Sequence, residues 1–135
     1  MRVVIDTNII LISFSERSQL FWISQALNEG LFTLCVSTEI LLEYEEILTK
    51  NMGSKLANII MDSILGSTNV KFITTYYKWN LIATDVDDNK FIDCAIAAEA
   101  KYLVTEDKHF NILKTKPFHR VEVVSVKDFK KLIIK

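Results

Sequence analysis

Arg2-Val3-Val4-Ile5-Asp6-Thr7-Asn8 is the stretch on which the fold class turns. Arg2 to Ile5 is a short, continuous run rich in β-branched residues, the pattern of a strand buried on both faces, and it stops at a carboxylate. Phe32 to Val36 and Tyr102 to Thr105 repeat that pattern. Val70 to Thr74 and Val121 to Val124 are broken by Lys71 and Glu122, as suits strands nearer a sheet edge. Between these runs, Ser18 to Glu29, Ser37 to Lys50, Ser54 to Leu65, Asp88 to Ala100 and Val126 to Ile134 carry helical spacing, for example Leu20, Ile23 and Leu27, or Leu56, Ile60 and Ile64. Gly30, Gly53 and Gly66 follow helical segments, where a left-handed residue is wanted. Strands alternating with helices predict an α/β fold, with a mostly parallel five-stranded sheet covered on both faces. Function is then expected at the carboxyl ends of the strands.

The length of 135 residues and a hydrophobic content of 50% predict one packed domain over residues 1 to 135. No uncharged apolar stretch approaches the ~20 residues of a membrane-spanning helix. Residues 7 to 15 lack the cleavage site of a signal peptide, so a soluble, cytoplasmic chain without membrane contact is expected. Cys35 and Cys94 are far apart in apolar surroundings and read as core fillers. Neither GxxxxGK[ST] nor GxGxxG occurs, which removes nucleotide binding through those motifs. The net charge of −1 conceals two opposed portions. Residues 1–100 hold seven Lys/Arg against thirteen Asp/Glu, and residues 101–135 hold nine against four. The basic tract either solvates the last helices or grips a polyanion beside an acidic, metal-holding cluster.

Three carboxylates stand where a core is expected. Asp6 is wedged between two hydrophobic runs, and Asp107 follows Tyr102 to Thr105 in the same way. In a parallel sheet both lie on one rim, where each either caps the helix that follows or serves chemistry. Asp93 is set in Phe91-Ile-Asp-Cys-Ala-Ile-Ala-Ala98, a helix apolar almost all round, where an ionised carboxylate is costly unless a cation or donors meet it. Among Glu39, Glu43, Glu45 and Glu46, the helical period places Glu43 and Glu45 at the edges of the apolar arc and does not choose between them. Carboxylates converging on one rim need a counter-charge, and Mg²⁺ or Mn²⁺ supplies it with oxygen ligands suited to phosphodiester chemistry. His109 and His119 are not needed for that chemistry and read as surface or packing residues.

These motifs resemble the PIN-domain family. Val3-Val4-Ile5-Asp6-Thr7-Asn8 is similar to its opening strand and D-T-N. Ser37 to Glu43 is similar to its second motif, which singles out Glu43. Asp88-Asn89-Lys90-Phe91-Ile92-Asp93-Cys94-Ala95-Ile96-Ala97-Ala98 resembles a DNKFxDxAxAA segment, with Asp93 as third acid, and Tyr102 to Asp107 resembles the closing strand with its T-x-D. Glu106 stands where the family usually shows Gly. The resemblance covers residues 1 to about 130 and implies a three-layer α/β/α nuclease fold that hydrolyses single-stranded RNA. By the same resemblance Asp6, Glu43, Asp93 and Asp107 are the catalytic and Mg²⁺/Mn²⁺-holding acids. Asn8 and Thr105 orient the first and fourth acids, and Asp88 either caps its helix or lines the pocket. The resemblance also implies the toxin half of a toxin–antitoxin pair, an antitoxin partner and a homodimer.

Two further features bear on RNA. Tyr76-Tyr77-Lys78-Trp79 suits a stacking platform or a loop anchored on the core. Lys108, Lys114, Lys116 and Arg120 are candidates for phosphate contacts. The competing readings are an aspartyl-phosphate enzyme, a non-toxin RNA-processing PIN nuclease and a catalytically silent PIN-like binding module. The first needs a second Asp where Asn8 stands, or a phospho-acceptor at the central strand.

Overall fold

The computed structural model describes residues 1–83, 85–115 and 120–134. In chain order the elements are β1 (Arg2–Ile5), α1 (Thr7–Ser13), α2 (Phe21–Asn28), β2 (Thr33–Val36), α3 (Thr38–Met52), α4 (Ser54–Leu65), β3 (Val70–Phe72), α5 (Asn89–Ala97), β4 (Tyr102–Val104), β5 (Glu122–Val124) and α6 (Val126–Ile133). Short 3-10 helices occupy Val86–Asp88, before α5, and Lys108–Thr115, after β4. The five strands form one all-parallel sheet in the order β3-β2-β1-β4-β5, flanked by helices.

The strand runs decide this order. Val3, Val4 and Ile5 are fully buried at the sheet centre, with Val3 in register with Leu34 on one side and Tyr102 on the other. Lys71 and Glu122 fall on edge strands and are exposed, as their interruption of the apolar runs predicts. The chain builds outward from β1 through β2 to β3, then returns to place β4 on the other side of β1. The sheet therefore has its topological switch point between β1 and β4, at whose carboxyl ends a crevice opens.

Most helix expectations differ from the structure by a few residues at the ends. Ser37 caps α3 by accepting the Ile40 N–H at 3.3 Å, and Ser125 caps α6 in the same way from Asp128 at 3.1 Å. Sequence spacing did not list α1, because Ile9 to Ile12 is too short an apolar run to separate helix from strand by period. On α4 the core face is Ala57, Ile60, Met61 and Ile64, which leaves Leu56 half exposed rather than buried. Gly30 adopts φ +75°, as a left-handed cap requires, whereas Gly66 ends α4 at an ordinary φ of −87°. Cys35 and Cys94 are buried free thiols, and burial, the largest cause, pushes Cys94 up to about 12. No helix among the described residues is long and apolar enough to cross a membrane.

Candidate active site

The switch-point crevice is lined first by Asp6. It ends β1 in extended backbone (φ −60°, ψ 147°) and precedes α1 without a side-chain capping hydrogen bond. Its Oδ2 instead accepts the Thr105 hydroxyl at 2.9 Å, and the same hydroxyl accepts the Asp107 backbone N–H at 3.0 Å. One side chain at the end of β4 thus orients both acids. Burial raises the Asp6 pKa against the opposing pull of the Thr105 bond and the Thr7 N–H, and the charges of Glu43 and Asp107 raise it further. Asp107 Oδ1 accepts the His109 N–H at 2.9 Å, so this acid caps the following turn as well as facing the crevice. Asn8 is exposed on the lip of a groove of about 410 Å³ shared with Asp6, Glu106 and Asp107. No hydrogen bond joins Asn8 to Asp6 among the described residues. Thr105, expected together with Asn8 to orient the first and fourth acids, bonds to both.

Glu43 comes from the second turn of α3 and points toward the same rim, which separates it from the exposed Glu45. Its Oε2 accepts the buried Thr7 hydroxyl, and its Oε1 lies 2.6 Å from Lys90 Nζ. Three helices, α1, α3 and α5, therefore meet at one carboxylate. Tyr44, its neighbour, donates its hydroxyl to Ile5 O at 2.5 Å and locks α3 under the end of β1.

Asp88 is the acid that sequence spacing left between capping and pocket. It makes no capping hydrogen bond. Among the described residues its Oδ2 is the buried side-chain atom without a hydrogen-bond partner, and His109 Nδ1 stands off at 3.7 Å. Burial raises its pKa from 3.8 to about 6, with Asp85, Asp107 and Asp6 adding to the shift and His109 opposing it. Asp88, Asp107 and Asp6 are thus electrostatic neighbours. An orphaned carboxylate oxygen surrounded by like charges fits a bound cation, and an oxygen-rich donor set suits a hard divalent ion. Asp85, Asp88 and His109 also offer ligand atoms within 4.8 Å of one another, so this corner can hold a metal ion.

Asp93, expected with Asp6, Glu43 and Asp107, shares a groove with Glu43, while Asp6 and Asp107 line another. Asp93 lies five residues beyond Asp88, more than a helical turn further along α5, and its Oδ1 accepts the Trp79 backbone N–H at 3.0 Å. Burial raises its pKa, the Trp79 bond opposes this, and its charged neighbours are Glu39 and Lys78. Its partner is a loop amide, supplied by the segment leading to α5. Asn89 grips that segment as well: its side chain accepts the Ile82 N–H at 2.8 Å and donates to Ile82 O at 2.9 Å. Sequence reasoning missed Asn89, although a buried amide beside the apolar face of α5 was a signal. Asp93, Glu43, Lys78 and Lys90 line a groove of about 640 Å³. The Tyr77 and Trp79 rings meet edge to face at 4.6 Å, while Tyr76 is 93% exposed.

The basic tract is divided. Lys108 follows Asp107 and is exposed at the carboxyl rim. Lys114 and Arg120 line a separate groove with Glu122 and Asp128. Arg120 precedes β5, which puts it at the amino rim of a parallel sheet, opposite the acids. Lys116 and His119 lie outside the described residues. Glu106 Oε1 accepts the Val126 N–H at 2.7 Å, so the acid standing where the family usually shows Gly ties the β4 turn to the start of α6.

An all-parallel sheet with acids at its switch point defines an α/β domain whose ligand crevice lies at the carboxyl ends of the strands. The family model described as "PIN domain" matches residues 2–109, and the chain belongs to the PIN-domain family. PIN domains are typically nucleases. Its fold is similar to a chain of VapBC2 from Rickettsia felis, solved bound to a DNA fragment from its promoter, with 18% identity, a TM-score of 0.62, and 93% of this chain and 98% of that one covered. It is also similar to VapC20 of Mycobacterium tuberculosis, a sarcin-ricin loop cleaving toxin, with 13% identity, a TM-score of 0.51, and 75% and 86% covered. No curated protein sequence matches it.

Proposed function

We propose that this chain is a metal-dependent endoribonuclease that cleaves single-stranded RNA, and that it is the toxin of a toxin–antitoxin pair. The observation that carries the reading is Asp88 Oδ2, buried without a hydrogen-bond partner, with the charges of Asp6 and Asp107 close enough to raise its pKa. Asp6, Asp88 and Asp107 would hold Mg²⁺ or Mn²⁺, directly or through water. Bound there, such an ion supplies charge neutralisation at a phosphodiester and activation of a water nucleophile.

The chain's own residues do the positioning. Thr105 fixes the carboxylate of Asp6 and the backbone of Asp107 with one hydroxyl. Glu43 is held by Thr7 and Lys90 at the neighbouring corner. Asp93 and Asn89 pin the 79–82 segment along the groove that an extended strand would follow. Lys108, at the acidic rim, is placed to meet a phosphate that lies in the crevice.

The family and the fold likeness to a toxin that cleaves the sarcin-ricin loop support RNA as substrate. An antitoxin partner, a homodimer and a cytoplasmic site of action belong to the same reading. Inducing the protein in cells tests it: growth arrest with mapped RNA cleavage, both abolished by Asp6→Asn, is expected. Arrest that persists unchanged in Asp6→Asn contradicts it.

A further inference from the structure

The Glu43 corner contains its own cation. Lys90 Nζ sits 2.6 Å from Glu43 Oε1, and the side chains of Lys90 and Glu43 are only 15% and 23% exposed. The other oxygen, Oε2, accepts the Thr7 hydroxyl, whose residue is buried. The charge of Glu43 is therefore matched inside the protein by a close ion pair, in contrast to Asp88, whose buried Oδ2 has no hydrogen-bond partner. A half-buried ion pair of this kind is strongly held, because separating it leaves an uncompensated charge out of water. Lys90 is also fixed in place: it stands in the first turn of α5, two residues after Asp88, and its ammonium lies 5.9 Å from the Phe91 ring centroid.

We infer that Lys90 takes the place of a second metal ion, so that the chain binds one divalent cation, held by Asp6, Asp88 and Asp107, with Glu43 acting through Lys90 rather than as a ligand. The inference rests on the metal site proposed above and deepens it. Lys90 is a positioning residue: it holds Glu43 and keeps a second divalent ion out of the corner by occupying its carboxylate and by charge repulsion.

Mn²⁺ binding in the absence of RNA provides the test, counted by electron paramagnetic resonance and calorimetry, with circular dichroism to confirm folding. Wild type and Lys90→Arg are expected to bind one ion per chain. Lys90→Met, which keeps the stem and removes the charge, is expected to expose Glu43 and gain a second, weaker ion. The double variant Lys90→Met/Glu43→Gln replaces the pair by a neutral one, and is expected to return to one ion at close to wild-type affinity. Two ions on wild type, or a double variant whose remaining ion is weakened by about tenfold or more as loss of a direct ligand would cause, overturns the inference while leaving the metal site standing. No Mn²⁺ on any variant overturns both.

Discussion

The Thr105 hydroxyl donates to Asp6 Oδ2 at 2.9 Å, joining the ends of β1 and β4 across 99 residues of chain. Because the same oxygen receives the Asp107 N–H, Thr105 sets the spacing of two acids that repel each other. Thr105→Val keeps the shape and removes both bonds. Weakening of Mn²⁺ affinity and RNA cleavage by about 10–100-fold is expected, the usual range for residues that orient ligands. Calorimetry with Mn²⁺ checks it, and unchanged affinity would show that Thr105 only packs.

Asp88 and Asp93 separate by substitution. Asp88→Asn removes a charge that faces Asp6 and Asp107, and is expected to weaken Mn²⁺ binding by at least about tenfold. Asp93→Asn retains an oxygen for the Trp79 amide and is expected to leave Mn²⁺ affinity close to wild type. Asp93→Ala removes the carboxylate that accepts that amide, at a cost of about 1.5–3 kcal/mol for a hydrogen bond to a charged group, visible as faster hydrogen exchange at Trp79. Loss of metal binding in Asp93→Asn with retention in Asp88→Asn would reverse the assignment.

The metal-free protein should lose stability as pH rises through the Asp88 titration. Its folded pKa, about 6, lies above the ordinary 3.8, so between those values the native state holds a proton that the unfolded chain releases. The resulting penalty is absent below that window and complete above it, and Asp6 and Asp93, also raised, act in the same direction. Thermal melts at pH 5 and pH 7.5 are expected to show a fall that shrinks in Asp88→Asn and is reversed at pH 7.5 by Mn²⁺. An identical pH profile in Asp88→Asn contradicts this.

Glu106→Gly removes the carboxylate that accepts the first amide of α6. A destabilisation of about 0.5–2 kcal/mol in denaturant melts is expected, in the range of a lost helix cap, without change in Mn²⁺ affinity.

RNA affinity should distinguish the two rims. Lys108→Ala is expected to reduce the salt slope of single-stranded RNA binding by about 0.7, the contribution of one phosphate contact. Arg120→Ala, at the opposite rim, is expected to leave the slope unchanged. The reverse pattern would place the RNA along β5 and α6.

The strands and their central or edge positions were legible because a parallel sheet writes burial directly into apolar runs: Val3 to Ile5 is unbroken, while Lys71 and Glu122 mark the edges. Asp6 and Asp107 were legible for the same reason, as charges ending buried strands. Asp93 was rightly conspicuous, since it is 7% exposed in an apolar helix, but what meets it is a backbone amide fourteen residues earlier. A loop folding back onto a helix leaves no periodic trace. Asp88 was left between cap and pocket, because an acid at a helix start reads as a cap until its side chain is seen to make no capping hydrogen bond. The Lys90–Glu43 pair joins residues 47 apart on different helices, which helical spacing along one element does not reveal.

The central claim is tested most directly by cleavage of single-stranded RNA by purified protein with Mg²⁺ or Mn²⁺, beside Asp6→Asn and Asp88→Asn. The account predicts metal-dependent cleavage by the parent, abolished by a chelator and lowered by at least about 10²-fold in each variant, comparable to losing a principal charge-stabilising group. Cleavage that survives chelation, or equal activity in the parent and both variants, would contradict it.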